Sequence, residues 1–186
     1  MEALFTSTVL VALAEIGDKT QLLSFVLAAK LRRPWAIMAG ILVATLLNHA
    51  LAGSLGVVVA RWLSPDTLRL IVGLSFIGFG LWTLKPDSLE GDPRLLRSGA
   101  FVTALVAFFL AEMGDKTQFA TIALAARYRD LAMVVLGTTL GMMIANVPAV
   151  LVGEALAHRV PMGVVRWIAA GLFVAVGAWT LVAGGF

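Results

Sequence analysis

Two copies of one seven-residue motif carry the chemistry: Glu15-Ile16-Gly17-Asp18-Lys19-Thr20-Gln21 and Glu112-Met113-Gly114-Asp115-Lys116-Thr117-Gln118. Each copy sits inside a long apolar stretch, where a charged side chain is expensive unless paired or hydrated, so these residues are functional candidates by position alone. On a continuous helix Glu15, Asp18 and Gln21 would share a face, and Glu15 and Lys19 would be close enough to share charge. The glycine between the two acids allows the helix to bend or open there, and freed carbonyls can then join a cation site. The donors on offer are the carboxylates of Glu15, Asp18, Glu112 and Asp115, the amide oxygens of Gln21 and Gln118, and the hydroxyls of Thr20 and Thr117. Hard oxygen ligands of this kind suit Mn²⁺, Ca²⁺ and Mg²⁺ rather than copper or zinc. Four carboxylates against two lysines leave two net negative charges when all are ionised. One divalent cation neutralises that set and so do two protons, so one cavity can hold either load. The plainer alternative is that the ion pairs only staple helices together. Desolvation makes buried ion pairs poor stabilisers, and two copies of the motif weaken that alternative further.

The elements that must position these residues are transmembrane helices. Of the 186 residues, 60% are hydrophobic and only 13% charged. Soluble domains run nearer about 45–50% apolar and about 25% charged. Six apolar segments are expected, at 3–29, 34–60, 67–84, 99–126, 131–157 and 164–184. Each is long enough to cross a hydrocarbon core of roughly 30 Å as a helix. There is no cysteine, which removes disulfides, thiolate metal sites and cysteine catalysis. The net charge of +3 resides in loop lysines and arginines without a long basic run, which marks membrane orientation rather than nucleic-acid binding. Ala12-Leu13-Ala14 imitates a signal-peptidase site, but the only charge before it is Glu2, where a signal peptide carries Lys or Arg.

The two halves are repeats. A shift of 97 residues carries Glu15 onto Glu112, Gly40 onto Gly137, Gly56 onto Gly153, Arg69 onto Arg166, Phe76 onto Phe173, Gly80 onto Gly177 and Trp82-Thr83-Leu84 onto Trp179-Thr180-Leu181. This divides the chain into a three-helix repeat at 1–84, a polar linker at 85–98 and a second repeat at 99–186. The loops after segments 1, 3 and 5 hold Lys30, Arg32, Arg33, Lys85, Arg94, Arg97, Arg159 and Arg166, against Arg61, Arg69, Arg127 and Arg129 after segments 2 and 4. The positive-inside rule then makes the linker cytoplasmic and puts both termini outside. Three helices per repeat is an odd number, so the second repeat enters from the opposite side. Such inverted repeats are typical of secondary transporters, whose sites lie near the midplane.

Further polar residues sit at mid-depth. Asn48 and His49 fall in segment 2, and Asn146 is the repeat mate of His49. They are candidates to complete the site, relay protons or tie helices together. Pro148 predicts a kink in segment 5. Glu154 has no acidic mate and is expected at the interface. The paired glycines are expected at close helix contacts, and Trp35, Trp62, Trp82, Trp167 and Trp179 at the membrane surfaces.

The doubled Glu-x-Gly-Asp-Lys-Thr motif resembles that of the Gdt-type cation/proton exchangers. This family, within the lysine-exporter superfamily, includes Golgi manganese/calcium transporters and bacterial manganese exporters. The resemblance covers essentially the whole chain. It implies an all-α membrane protein of six transmembrane helices in two inverted-topology repeats, placed in the cell (inner) membrane. It implies that Glu15, Asp18, Glu112 and Asp115 coordinate the cation and that Lys19, Thr20, Lys116 and Thr117 support the site. It further implies export of Mn²⁺, with Ca²⁺ a second substrate, in exchange for protons, without a resident cofactor. The residues alone give only a divalent, oxygen-liking cation. An exporter of amino acids or small organic cations is the alternative within transport, although nothing in the motif is shaped for an organic ligand. An intramembrane enzyme would need a nucleophile–base set, which the motif lacks, and a passive channel would need no proton gradient. Nothing in the sequence sets the oligomeric state.

Overall fold

The computed structural model describes residues 1–85, 96, 98–152 and 162–183. Most of the expected linker, with Arg94 and Arg97, lies outside the described residues, as do Gly153, Glu154 and Arg159.

Among the described residues the chain is entirely helical. The helices are α1 (Glu2–Glu15), α2 (Lys19–Leu31), α3 (Pro34–Trp62), α4 (Pro65–Thr83), α5 (Ala100–Glu112), α6 (Lys116–Tyr128), α7 (Leu131–Val152) and α8 (Met162–Ala183). Four of them, α3, α4, α7 and α8, are long and apolar enough to cross a membrane. Trp35 and Trp62, at the two ends of α3, are both largely exposed. They lie 27 helical positions apart, a rise of roughly 40 Å. That matches a bilayer with its interfacial layers, where tryptophan is favoured.

Segments 1 and 4 are each two helices rather than one. The four half-helices have 14, 13, 13 and 13 residues. Each is only about 20 Å long, short of the roughly 30 Å hydrocarbon core. Segment 5 runs on as helix through Pro148 to Val152, so the proline does not end it.

The repeat seen in the sequence recurs in the packing. α1 packs on α7 as α5 packs on α3, and α4 crosses α8. Small residues allow these contacts. A Cβ on Gly40 would lie 2.6 Å from the Phe101 carbonyl oxygen, and one on Gly137 would lie 2.6 Å from that of Leu4. Those two contacts are repeat mates. So are the approaches of Gly80 to the Ala170 carbonyl (2.9 Å) and of Gly177 to that of Gly73 (2.7 Å) at the α4–α8 crossing. Phe76 and its mate Phe173 stack there with centroids 6.2 Å apart. Apolar attraction between helices is weak in lipid, so close backbone approach and dispersion hold such crossings.

Candidate metal centre

The Glu-x-Gly-Asp sequence forms a turn. Glu15 ends α1, Ile16 is extended (φ −65°, ψ 115°), Gly17 has φ 83°, and the Asp18 N–H donates to the Glu15 carbonyl at 3.0 Å. The second copy repeats this, with Met113 at φ −64° and ψ 122°, Gly114 at φ 73° and Asp115 N–H to the Glu112 carbonyl at 3.1 Å. These values match a type II turn, whose third residue needs positive φ and is therefore glycine. Each broken segment thus opens at its motif, as the glycine spacing allows.

The opening changes the side-chain geometry expected of a continuous helix. Asp18 and Asp115 precede α2 and α6 in extended conformation, so they do not share a helix face with Glu15 and Glu112. Lys19 pairs with Asp115 of the other repeat at 3.0 Å rather than with Glu15, the partner that helical spacing would give it. Lys116 pairs with Asp18 at 2.9 Å. The two ion pairs therefore cross between the repeats.

Glu15 accepts hydrogen bonds from both threonines, Thr20 Oγ1 at 2.5 Å and Thr117 Oγ1 of the other motif. These hydroxyls lie in the first turns of α2 and α6, whose N-terminal dipole ends favour negative charge. Glu112 is equally buried, yet neither of its carboxylate oxygens has a hydrogen-bond partner among the described residues. One carboxylate oxygen from each of Glu15, Glu112 and Asp115 falls within 4.8 Å of the others, close enough for a single cation to touch all three. A buried acidic group without partners is costly until something positive neutralises it.

The glutamines brace the turns. Gln21 Oε1 accepts the Gly17 N–H at 2.9 Å and its Nε2 donates to the Ala145 carbonyl at 3.1 Å. Gln118 Oε1 accepts the Gly114 N–H at 2.8 Å and its Nε2 donates to Asn48 Oδ1 at 3.3 Å. Asn48 in turn donates to the Phe109 carbonyl at 3.0 Å, which ties α3 to the second break. Asn146 accepts from Ser24 at 2.7 Å and donates to the Met142 carbonyl at 3.0 Å, joining α7 to α2. His49 is fully buried, and its ring nitrogens have no partner among the described residues. Sequence spacing could have shown the turn, since glycine third in Glu-x-Gly-Asp is the type II signal. It held no signal for the crossed lysines or for both threonines converging on one glutamate.

Residues 3–91 and 100–185 match the family described as "Divalent cation/proton antiporter GDT1". The chain belongs to the GDT1 family. It is 53% identical over 175 residues to a Vibrio cholerae protein named "Putative manganese exporter", an alignment covering 94% of this chain and 88% of the relative. It is 30% identical over 208 residues to GDT1-like protein 5 of Arabidopsis thaliana, covering 91% of this chain and 90% of that one. A GDT1-like protein of Synechocystis is 28% identical over 211 residues, covering 98% of this chain and 100% of its own length. No solved structure matches. GDT1 proteins are transporters rather than enzymes.

Proposed function

We propose that this GDT1 protein exports Mn²⁺ from the cytoplasm in exchange for protons, with Ca²⁺ as a second substrate. The observation that carries this reading is the buried trio of Glu15, Glu112 and Asp115, contributed by two helix breaks from two repeats. Glu15, Asp18, Glu112 and Asp115 are the ligands. Gln21 and Gln118 each have a second lone pair on the oxygen that holds the turn. Lys19, Thr20, Lys116 and Thr117 support the carboxylates, and Asn48 and Asn146 fix the helices that carry them. The name of the Vibrio cholerae relative supports manganese and export, and the family description supports proton exchange.

In this reading α1 with α2, and α5 with α6, are two broken spans, which with α3, α4, α7 and α8 make six. The repeats at 1–84 and 99–186 are inverted, the segment 85–98 is cytoplasmic, and both termini face outward from the inner membrane. Packing equivalences between α1–α7 and α5–α3 support two repeats related by symmetry. Metal entering from the cytoplasm displaces protons from the carboxylates. Rocking of the repeats then exposes the site to the outside, where protons reload the acids and release the metal.

The test is Mn²⁺ flux into proteoliposomes with and without a pH gradient, for wild type beside Asp18→Asn and Asp115→Asn. Gradient-dependent flux lost in both variants supports the exchanger and its site. Flux that ignores the gradient, or survives both substitutions, overturns one or the other.

A further inference from the structure

The two crossed ion pairs are chemically identical but differ in burial. The side chains of Lys116 and Asp18 are 6% and 0% exposed, whereas Lys19 is 26% exposed beside an Asp115 that is 5% exposed. The turn next to Asp115 is open as well. Met113 is 56% exposed, and a Cβ on Gly114 would meet nothing within 4 Å. Its counterparts Ile16 and Gly17 are half-buried.

Asp115 is also a member of the carboxylate trio, and the Lys19 ammonium already touches it. An ammonium and a divalent cation on one carboxylate repel each other strongly where water is excluded, so binding of one opposes the other. Lysine is a point charge on a flexible four-carbon stem, and Lys19 is partly exposed at the protein surface, which leaves that stem room to move. Lys116 is buried. Its departure would leave the charge of Asp18 buried without that ammonium, the expensive way to break such a pair.

We propose that Lys19 is a tethered competitor of the transported cation: its ammonium occupies Asp115 while the site is empty and swings out when the cation binds. The Lys19–Asp115 pair is then the entrance in this conformation, and the Lys116–Asp18 pair is the closed side. The two pairs are repeat mates, so the opposite-facing state exchanges their roles. This rests on the carboxylate trio being the cation site.

Mn²⁺ titration of the purified full chain in detergent tests it, comparing wild type, Glu15→Gln, Lys19→Met and Lys116→Met. Removing a competitor tightens binding, so Lys19→Met is expected to bind Mn²⁺ on the order of tenfold more tightly, within the usual range of coupling between two ligands. A residue that merely supported the site would weaken binding when removed. Unchanged or weaker binding by folded Lys19→Met, with normal wild-type binding lost in Glu15→Gln, overturns the lysine proposal and leaves the site intact. No wild-type binding, or binding retained in Glu15→Gln, overturns the site and the proposal together.

The chain has no cysteine, which gives a second measurement independent of lysine substitutions. Met113→Cys is expected to react with a charged, water-soluble thiol reagent in metal-free protein and to be protected by Mn²⁺, and Ile16→Cys to react slowly. Equal rates at the two positions, or no reaction at Met113→Cys, would overturn the entrance.

Discussion

Gln21 accepts the backbone N–H of Gly17 at 2.9 Å, and the same relationship recurs between Gln118 and Gly114 at 2.8 Å. Each glutamine thus ties the helix after the break back onto the turn that makes the break. Opening a helix in an apolar setting frees backbone groups that no water is at hand to satisfy. An amide side chain four residues after the glycine supplies the missing acceptor and, from its nitrogen, a donor to a neighbouring helix.

Gln21→Leu therefore leaves the Gly17 N–H without its acceptor and the Ala145 carbonyl without its donor. A buried polar group left unpaired costs about 1–3 kcal/mol, so the variant should unfold at lower temperature and carry less Mn²⁺. Gln21→Glu keeps the acceptor for the glycine and should retain more stability than the leucine variant. Thermal unfolding in detergent with flux in proteoliposomes checks this. Equal stability of wild type and Gln21→Leu would show that the brace is dispensable.

The turns themselves depend on glycine. Positive φ costs an ordinary residue roughly 1–2 kcal/mol, and asparagine tolerates it better than alanine. Space around Gly114 is open, so the penalty there is one of backbone conformation alone. Transport should fall in the order wild type, Gly114→Asn, Gly114→Ala, with the same order at Gly17. Alanine variants as active as wild type would mean that the turn relaxes without moving Asp115.

Much of this was legible in the sequence, and the remainder has physical reasons. The 97-residue repeat, the apolar segments and the acidic motif are local patterns, and Gly40 with Gly137 announced the close contacts that the helices make. The break was foreshadowed by Gly17 and Gly114, but helical spacing joined Glu15 to Lys19, which the turn separates. Lys19 instead finds Asp115 almost a hundred positions away, a partner fixed by how the repeats interlock and by no local pattern. The convergence of Thr20 and Thr117 on Glu15 was hidden for another reason. Two matching motifs suggest equal roles, and the conformation is asymmetric.

Helix contacts give a prediction that is independent of transport. A Cβ on Gly40 or Gly137 would sit 2.6 Å from a carbonyl oxygen of the facing helix, whereas one on Gly78 would meet nothing within 4 Å. Gly40→Ala and Gly137→Ala must push α3 from α5 and α7 from α1, at a cost of about 1–3 kcal/mol each, as overpacking usually does. Gly78→Ala, on an exposed face of α4, should be neutral or stabilising by about 0.5–1 kcal/mol through helix propensity. Detergent unfolding of the three variants decides it. A Gly78→Ala as damaging as the other two would show that close approach is not what these glycines provide.

The two glutamates should respond differently to neutralisation. Glu15 is held by two threonine hydroxyls, so Glu15→Gln replaces two charge-assisted hydrogen bonds by weaker neutral ones, with one hydroxyl turned to accept from the new amide nitrogen. Glu112 has no such bonds among the described residues, so Glu112→Gln removes a buried acidic group without breaking any. Metal-free Glu112→Gln should therefore be at least as stable as wild type, and Glu15→Gln less stable. Both remove a carboxylate from the trio, so both should lose the rise in unfolding temperature expected of the wild type in Mn²⁺. That rise corresponds to about 2.7 kcal/mol at a metal concentration one hundred times Kd. Melting curves with and without Mn²⁺ separate the two effects. A Glu112→Gln variant still stabilised by Mn²⁺ as fully as wild type would remove Glu112 from the site.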